Sequence, residues 1–271
     1  MDALDAALKE PVYQFSLVQK QSFASLQDSE IRDSLTKWNL LPLLEVKSFR
    51  YTGTFQLLRT ESFLRQLINA PSVQEVMQTM SINGKKEKWS GTCSRVKFTE
   101  LSATIFNMDF FEPLFGSEVV KDNGSIVRCL DEYVDEFTIS DRLRDMCLRA
   151  DDSDYINEVF NDKQRKEFIY HVFRRLVIGG AVCQFEDTVQ PLLVATKSLY
   201  KDLVSVKKKT KIAEGEFPLT IGSRIFLLED IEGEAMNLFP HPNNRGNFLY
   251  VTVDPAQKKV TIVFYPSLPV F

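Results

Sequence analysis

The chain has 271 residues, of which 44% are hydrophobic and 26% charged, and its formal net charge is −4. That length is ample for a real core, and the composition is that of a globular protein rather than a disordered one. A mildly acidic chain with both signs dispersed argues against non-specific nucleic-acid binding and against attachment to a membrane surface, both of which want a basic patch.

The first ten residues are acidic and lack the basic start and apolar stretch of a signal peptide, so residues 1–10 are expected to form a flexible tail on a soluble, cytosolic protein. No apolar run approaches bilayer length. Tyr13, Phe15 and Leu17 alternate with polar residues and predict a half-buried strand. Ser29 is placed as the cap of a helix carrying Ile31, Leu35 and Trp38, and a strand is expected from Leu44 to Tyr51. Thr60 opens a helix with Phe63, Leu64, Leu67 and Ile68. Pro71 breaks it, and Ser72 with Glu75 reads as a capping box for a turn set reaching Met80. After the Asn83-Gly84 turn, Trp89–Phe98 and Leu101–Met108 read as an antiparallel pair.

The centre reads as helical. Ile126, Leu130, Tyr133 and Val134 recur at helical spacing, and Ser140 reads as the cap of a short helix with Leu143, Met146 and Cys147. Arg149–Asp154 reads as an exposed charged loop. Asp162 opens one long helix through Val177, ended by a left-handed cap at Gly179-Gly180. A further helix from Asp187 buries Val189, Leu192, Leu193, Thr196, Tyr200, Leu203 and Val204. Lys207–Lys211 is a basic run. Phe217–Leu228 predicts one or two strands, and about 229–247 a long surface loop. Phe248–Val253 and Val260–Tyr265 frame Asp254–Lys258 as the clearest hairpin. The fold class is therefore α+β: one mixed domain over 11–271 with an antiparallel sheet, a helical centre and a C-terminal β-hairpin.

Chemistry is sparse. No dinucleotide-binding or phosphate-binding glycine loop, no Gly-x-Ser-x-Gly elbow and no Cys-x-x-Cys pair occurs. The histidines are His171 and His241 alone, neither two residues before a carboxylate, so no cofactor or metal is expected. His171 reads as a partly solvated residue on the polar face of its helix. Cys183, Glu186 and Asp187 form the most tempting cluster. Neighbouring acids raise a thiol's pKa, however, and the two carboxylates suit the first turn of the following helix. The four dispersed cysteines read as small packed residues, and Trp38 and Trp89 as core anchors.

Two stretches carry a family resemblance: Val119–Asp131 continuing into Phe137–Arg144, and Leu176–Asp187 continuing through Ala195–Val206. Phe15–Phe63 and Val253-Asp254-Pro255 add weaker likeness. In these segments the chain resembles the cilia- and flagella-associated protein 300 family. The resemblance implies a non-catalytic role in assembling or transporting outer and inner dynein arms of motile axonemes. It also implies a cytoplasmic stage, residence in the cilium or flagellum, and contact with kintoun-type preassembly factors and intraflagellar transport. It implies no small-molecule substrate. The alternative reading is a diverged oxygenase- or transferase-like enzyme, which a pocket gathering acids, Cys183 and His171 would favour. The expected partner-contact residues are Glu186, Lys197, Lys201 and Asp202, off the apolar stripe of the helix pair, and Lys207, Lys208, Lys209 and Lys211 of the basic run.

Overall fold

The computed structural model describes residues 10–20, 23–149, 156–208 and 219–268. In chain order, β1 (Phe15–Leu17) leads to α1 (Ala24–Gln27), α2 (Ser29–Lys37) and β2 (Glu45–Tyr51). Next come α3 (Thr60–Asn69), α4 (Pro71–Gln74), the hairpin of β3 (Gln78–Met80) and β4 (Lys86–Lys88), and the long β5 (Thr92–Leu101). A 3-10 segment (Met108–Leu114) precedes the hairpin of β6 (Arg128–Val134) and β7 (Phe137–Asp141). The helical centre follows: α5 (Arg142–Arg149), α6 (Ile156–Val159), α7 (Asp162–Arg165), α8 (Phe168–Ile178) and α9 (Gln190–Leu203). The pair β8 (Val206–Lys208) and β9 (Leu219–Ile221) then leads to β10 (Arg224–Glu234), β11 (Phe248–Asp254) and β12 (Lys259–Tyr265).

Six strands form one antiparallel sheet in the order β1-β2-β12-β11-β10-β5. On one face Phe226, Leu249, Val251 and Phe264 pack with Phe63, Leu64, Leu67 and Ile68 of α3. On the other, Ile225, Phe248, Tyr250 and Val263 pack with Phe168, Val172, Leu176 and Leu199 of α8 and α9. The sheet is thus a middle layer. Every residue of β11 is buried, which is why its first half, Phe248–Val251, reads as a continuous apolar run and not as an alternation. The α+β class, the antiparallel sheet, the helical centre and the terminal hairpin all stand as expected.

Several local expectations are corrected. Ile126–Val134 is no helix. It enters β6, whose Leu130 and Tyr133 are 91% and 78% exposed, while the partner strand buries Phe137 and Ile139 at period two. Trp89–Phe98 does not pair with Leu101–Met108, because β5 pairs with β10, more than a hundred residues later. The cap of α2 is Asp28, whose carboxylate accepts from the Glu30 and Ile31 amides, and not Ser29. The expected capping box of Ser72 and Glu75 is absent: Pro71 starts α4 itself, the Ser72 hydroxyl donates to the Phe15 carbonyl, and residues 78–80 are strand. The long helix from Asp162 is broken at Lys166-Glu167, where Glu167 turns its buried carboxylate to the Thr104 amide and hydroxyl. The predicted loop at 229–247 begins only after Glu234. Residues 229–234 stay in β10 because Lys97 and Arg95 on β5 answer Glu229 and Glu232 across the ladder. The expected flexible tail and the charged loop after Arg149 lie outside the described residues.

Candidate interaction surface

The helix pair expected to present a surface is held to the rest of the protein by the 179–189 segment. Gly179 has φ +63° and ψ −166°, a conformation natural only to glycine and distinct from the left-handed cap the sequence suggests. A Cβ on Gly180 would collide with the Asn39 carbonyl and the Tyr265 hydroxyl. This close approach lets the Gly180 amide donate to the Trp38 carbonyl at 2.8 Å and the Gln184 amide to the Lys37 carbonyl at 3.0 Å.

Glu186 is the centre of this contact. Its carboxylate accepts from the Trp38 indole N–H at 2.9 Å and from Lys37 Nζ at 2.8 Å, and its side chain is only 11% exposed. Asp202 is likewise engaged, accepting from the Ser25 amide at 2.7 Å and the Ser25 hydroxyl at 2.6 Å, which fastens α1 onto α9. Neither is the solvated contact residue expected from its place off the apolar stripe. The sequence could not show that chain segments more than a hundred residues away supply their donors. Lys197 and Lys201 are exposed, as expected, one turn apart on α9. Lys207 is half-buried and lies 3.6 Å from Asp254, its stem against Gly222. The backbone of Lys208 lies in β8, whereas Lys209 and Lys211 fall outside the described residues.

The tempting chemical cluster does not assemble. Cys183 lines a cavity of about 20 Å³ with Trp38, Asp141, Arg144 and Glu186, and His171 is not among its walls. Burial pushes the Cys183 thiol up, away from the thiolate a nucleophile needs. Asp187 points outward to Arg128 at 2.6 Å. His171 is half-buried on the least buried side of its helix with Arg174 and Arg175, partly solvated as expected. It packs against the sheet with Nδ1 3.3 Å from the Tyr250 hydroxyl, and burial, then Arg175 and Arg174, lower its pKa to about 3. Trp38 and Trp89 are both buried, in the cores on opposite faces of the sheet. Among the described residues no three His, Cys, Asp or Glu side chains are placed to hold a metal ion, and no helix is long and apolar enough to cross a membrane.

The sequence profile of the family described as Cilia- and flagella-associated protein 300 matches residues 12–265, nearly the whole chain. The chain belongs to that family. A Chlamydomonas reinhardtii member, Cilia- and flagella-associated protein 300, is 32% identical over 258 residues, covering 94% of this chain and 98% of its own. A Paramecium tetraurelia protein of the same name is 30% identical over 244 residues, covering 90% of each. No solved structure matches this member of the cilia- and flagella-associated protein 300 family. The match spans both cores and all six strands of the sheet, so the family likeness extends over the three-layer architecture and not only over the helical centre.

Proposed function

We propose that the chain is a non-catalytic adaptor that serves the assembly or transport of outer and inner dynein arms in motile cilia and flagella. The observation that carries this reading is family membership across residues 12–265, together with relatives whose names tie them to cilia and flagella. The dynein-arm role itself is what the resemblance in Val119–Val206 implies. On this reading the protein works in the cytoplasm with kintoun-type preassembly factors, reaches the cilium with intraflagellar transport, and acts through surfaces. Lys197 and Lys201, exposed on α9, are contact residues on this reading, as are Lys208, Lys209 and Lys211 of the basic run, whose side chains lie outside the described residues. The cavity shared by Cys183, Asp141 and Glu186 has room for a water molecule and lacks His171, so it is not the pocket expected of the enzyme alternative.

Cells lacking the protein should build cilia of ordinary length whose axonemes lack dynein arms and beat poorly. Electron microscopy of cross-sections checks this, and a full complement of arms on the null mutant would defeat the reading.

A further inference from the structure

The β5/β10 ribbon runs past the rest of the sheet. β11 pairs with β10 only over Arg224–Leu227, whereas β5 pairs with it as far as Glu234. The two free edges of this projecting ribbon are treated differently. On the β5 side, Asn69 of α3 takes both the amide and the carbonyl of Cys93, and Glu61 accepts from the Val96 amide, so side chains occupy the backbone groups a foreign strand would need. On the β10 side, Leu228–Glu234 has no ladder partner. Beside it lies a groove of about 580 Å³, whose far wall is Met236–Asn247.

That wall is fixed. Asn237 Nδ2 donates to the Lys88 carbonyl and its Oδ1 accepts from the Ser90 amide, while Asn247 Nδ2 donates to the His241 carbonyl. The groove therefore has a braced wall facing an open strand edge. Its charge is also one-sided at that edge. Glu229 and Glu232 are answered by Lys97 and Arg95, but Asp230 and Glu234 are exposed and have no ion pair among the described residues. Across the groove Arg245 is neutralised by Asp135 at 2.6 Å. Arg175 gives its donors to the Tyr250 hydroxyl and the Arg245 carbonyl and lies over Phe248.

We propose that the open edge of β10 over Leu228–Glu234 is a docking site for an extended segment of a partner polypeptide carrying lysine or arginine. The segment adds a strand where β11 stops and sets its cations beside Asp230 and Glu234. Main-chain hydrogen bonds hold such a strand and the side chains select it. The site does not depend on the ciliary reading.

The test is amide hydrogen exchange of the full chain with a synthetic heptapeptide, acetyl-Lys-Val-Thr-Lys-Val-Thr-Lys, at millimolar concentration. Exchange across Leu228–Glu234 should slow at least about tenfold, as expected when free edge amides join a ladder. The same peptide with glutamate in place of lysine, or with proline at its centre, should give no protection. The double variant Asp230→Lys, Glu234→Lys should lose protection by the basic peptide and gain it with the acidic one. Its thermal midpoint should match the wild type, since both positions are exposed. Absence of protection by the basic peptide, equal protection by the proline peptide, or protection confined to another strand would each overturn the proposal.

Discussion

At the scale of single residues, charge on this protein divides into carboxylates that hold the fold together and side chains that face water. Glu186 has two donors, from Trp38 and Lys37, and little exposure. Replacing it by alanine leaves a buried indole N–H without an acceptor and should cost roughly 1–3 kcal/mol. Lys197→Glu and Lys201→Glu should each shift stability by less than about 0.5 kcal/mol, because both are exposed and unpaired among the described residues. Urea unfolding of the three variants checks the contrast. His171 carries a second prediction. Its folded pKa is about 3, against 6.5 for the free side chain, so the unfolded chain binds the extra proton anywhere between those values. The stability from keeping this ring neutral is therefore complete above the unfolded pKa and is lost as pH falls toward the folded one. His171→Gln should lessen the loss between pH 6.5 and about pH 4 by on the order of 1–3 kcal/mol. Equal pH slopes for both proteins would show that the ring is not held neutral.

At the scale of elements, the connection between α8 and α9 decides more than either helix. Both helices carry wide apolar stripes that would pack on any hydrophobic surface. The segment between them fixes which surface, by laying Gly180 on Asn39 and Tyr265 and closing backbone bonds to Lys37 and Trp38. Gly180→Ala puts a methyl group into the Asn39 carbonyl and the Tyr265 hydroxyl, backbone and a buried ring that cannot move aside. It should destabilise the protein by roughly 1–3 kcal/mol, comparable to overpacking a core, and lower the melting midpoint accordingly. Ala181→Gly next door is the control and should change little; equal effects would show that the close approach is not what matters. Phe173 of α8 is fully buried against Phe111.

At the scale of the whole molecule, much was legible in the sequence. The α3 helix follows from Thr60 and the spacing of Phe63, Leu64, Leu67 and Ile68, and the terminal hairpin from two apolar runs about Asp254–Lys258. In both, neighbours along the chain supply the signal. The helical centre was legible from the stripes of Phe168–Val177 and Leu192–Leu203 for the same reason. What tertiary structure alone decided is everything that depends on distant pairing. The apparent helix at Ile126–Val134 became a strand because β7 supplies the buried face and leaves Leu130 and Tyr133 free. The acidic stretch after Leu228 stayed in β10 because Lys97 and Arg95 lie opposite. Glu186 and Asp202 left the solvent because Trp38, Lys37 and Ser25 come to meet them. Local spacing fixes a residue's face along an element, but the donor or strand opposite that face comes from elsewhere in the chain, and no window of sequence contains it.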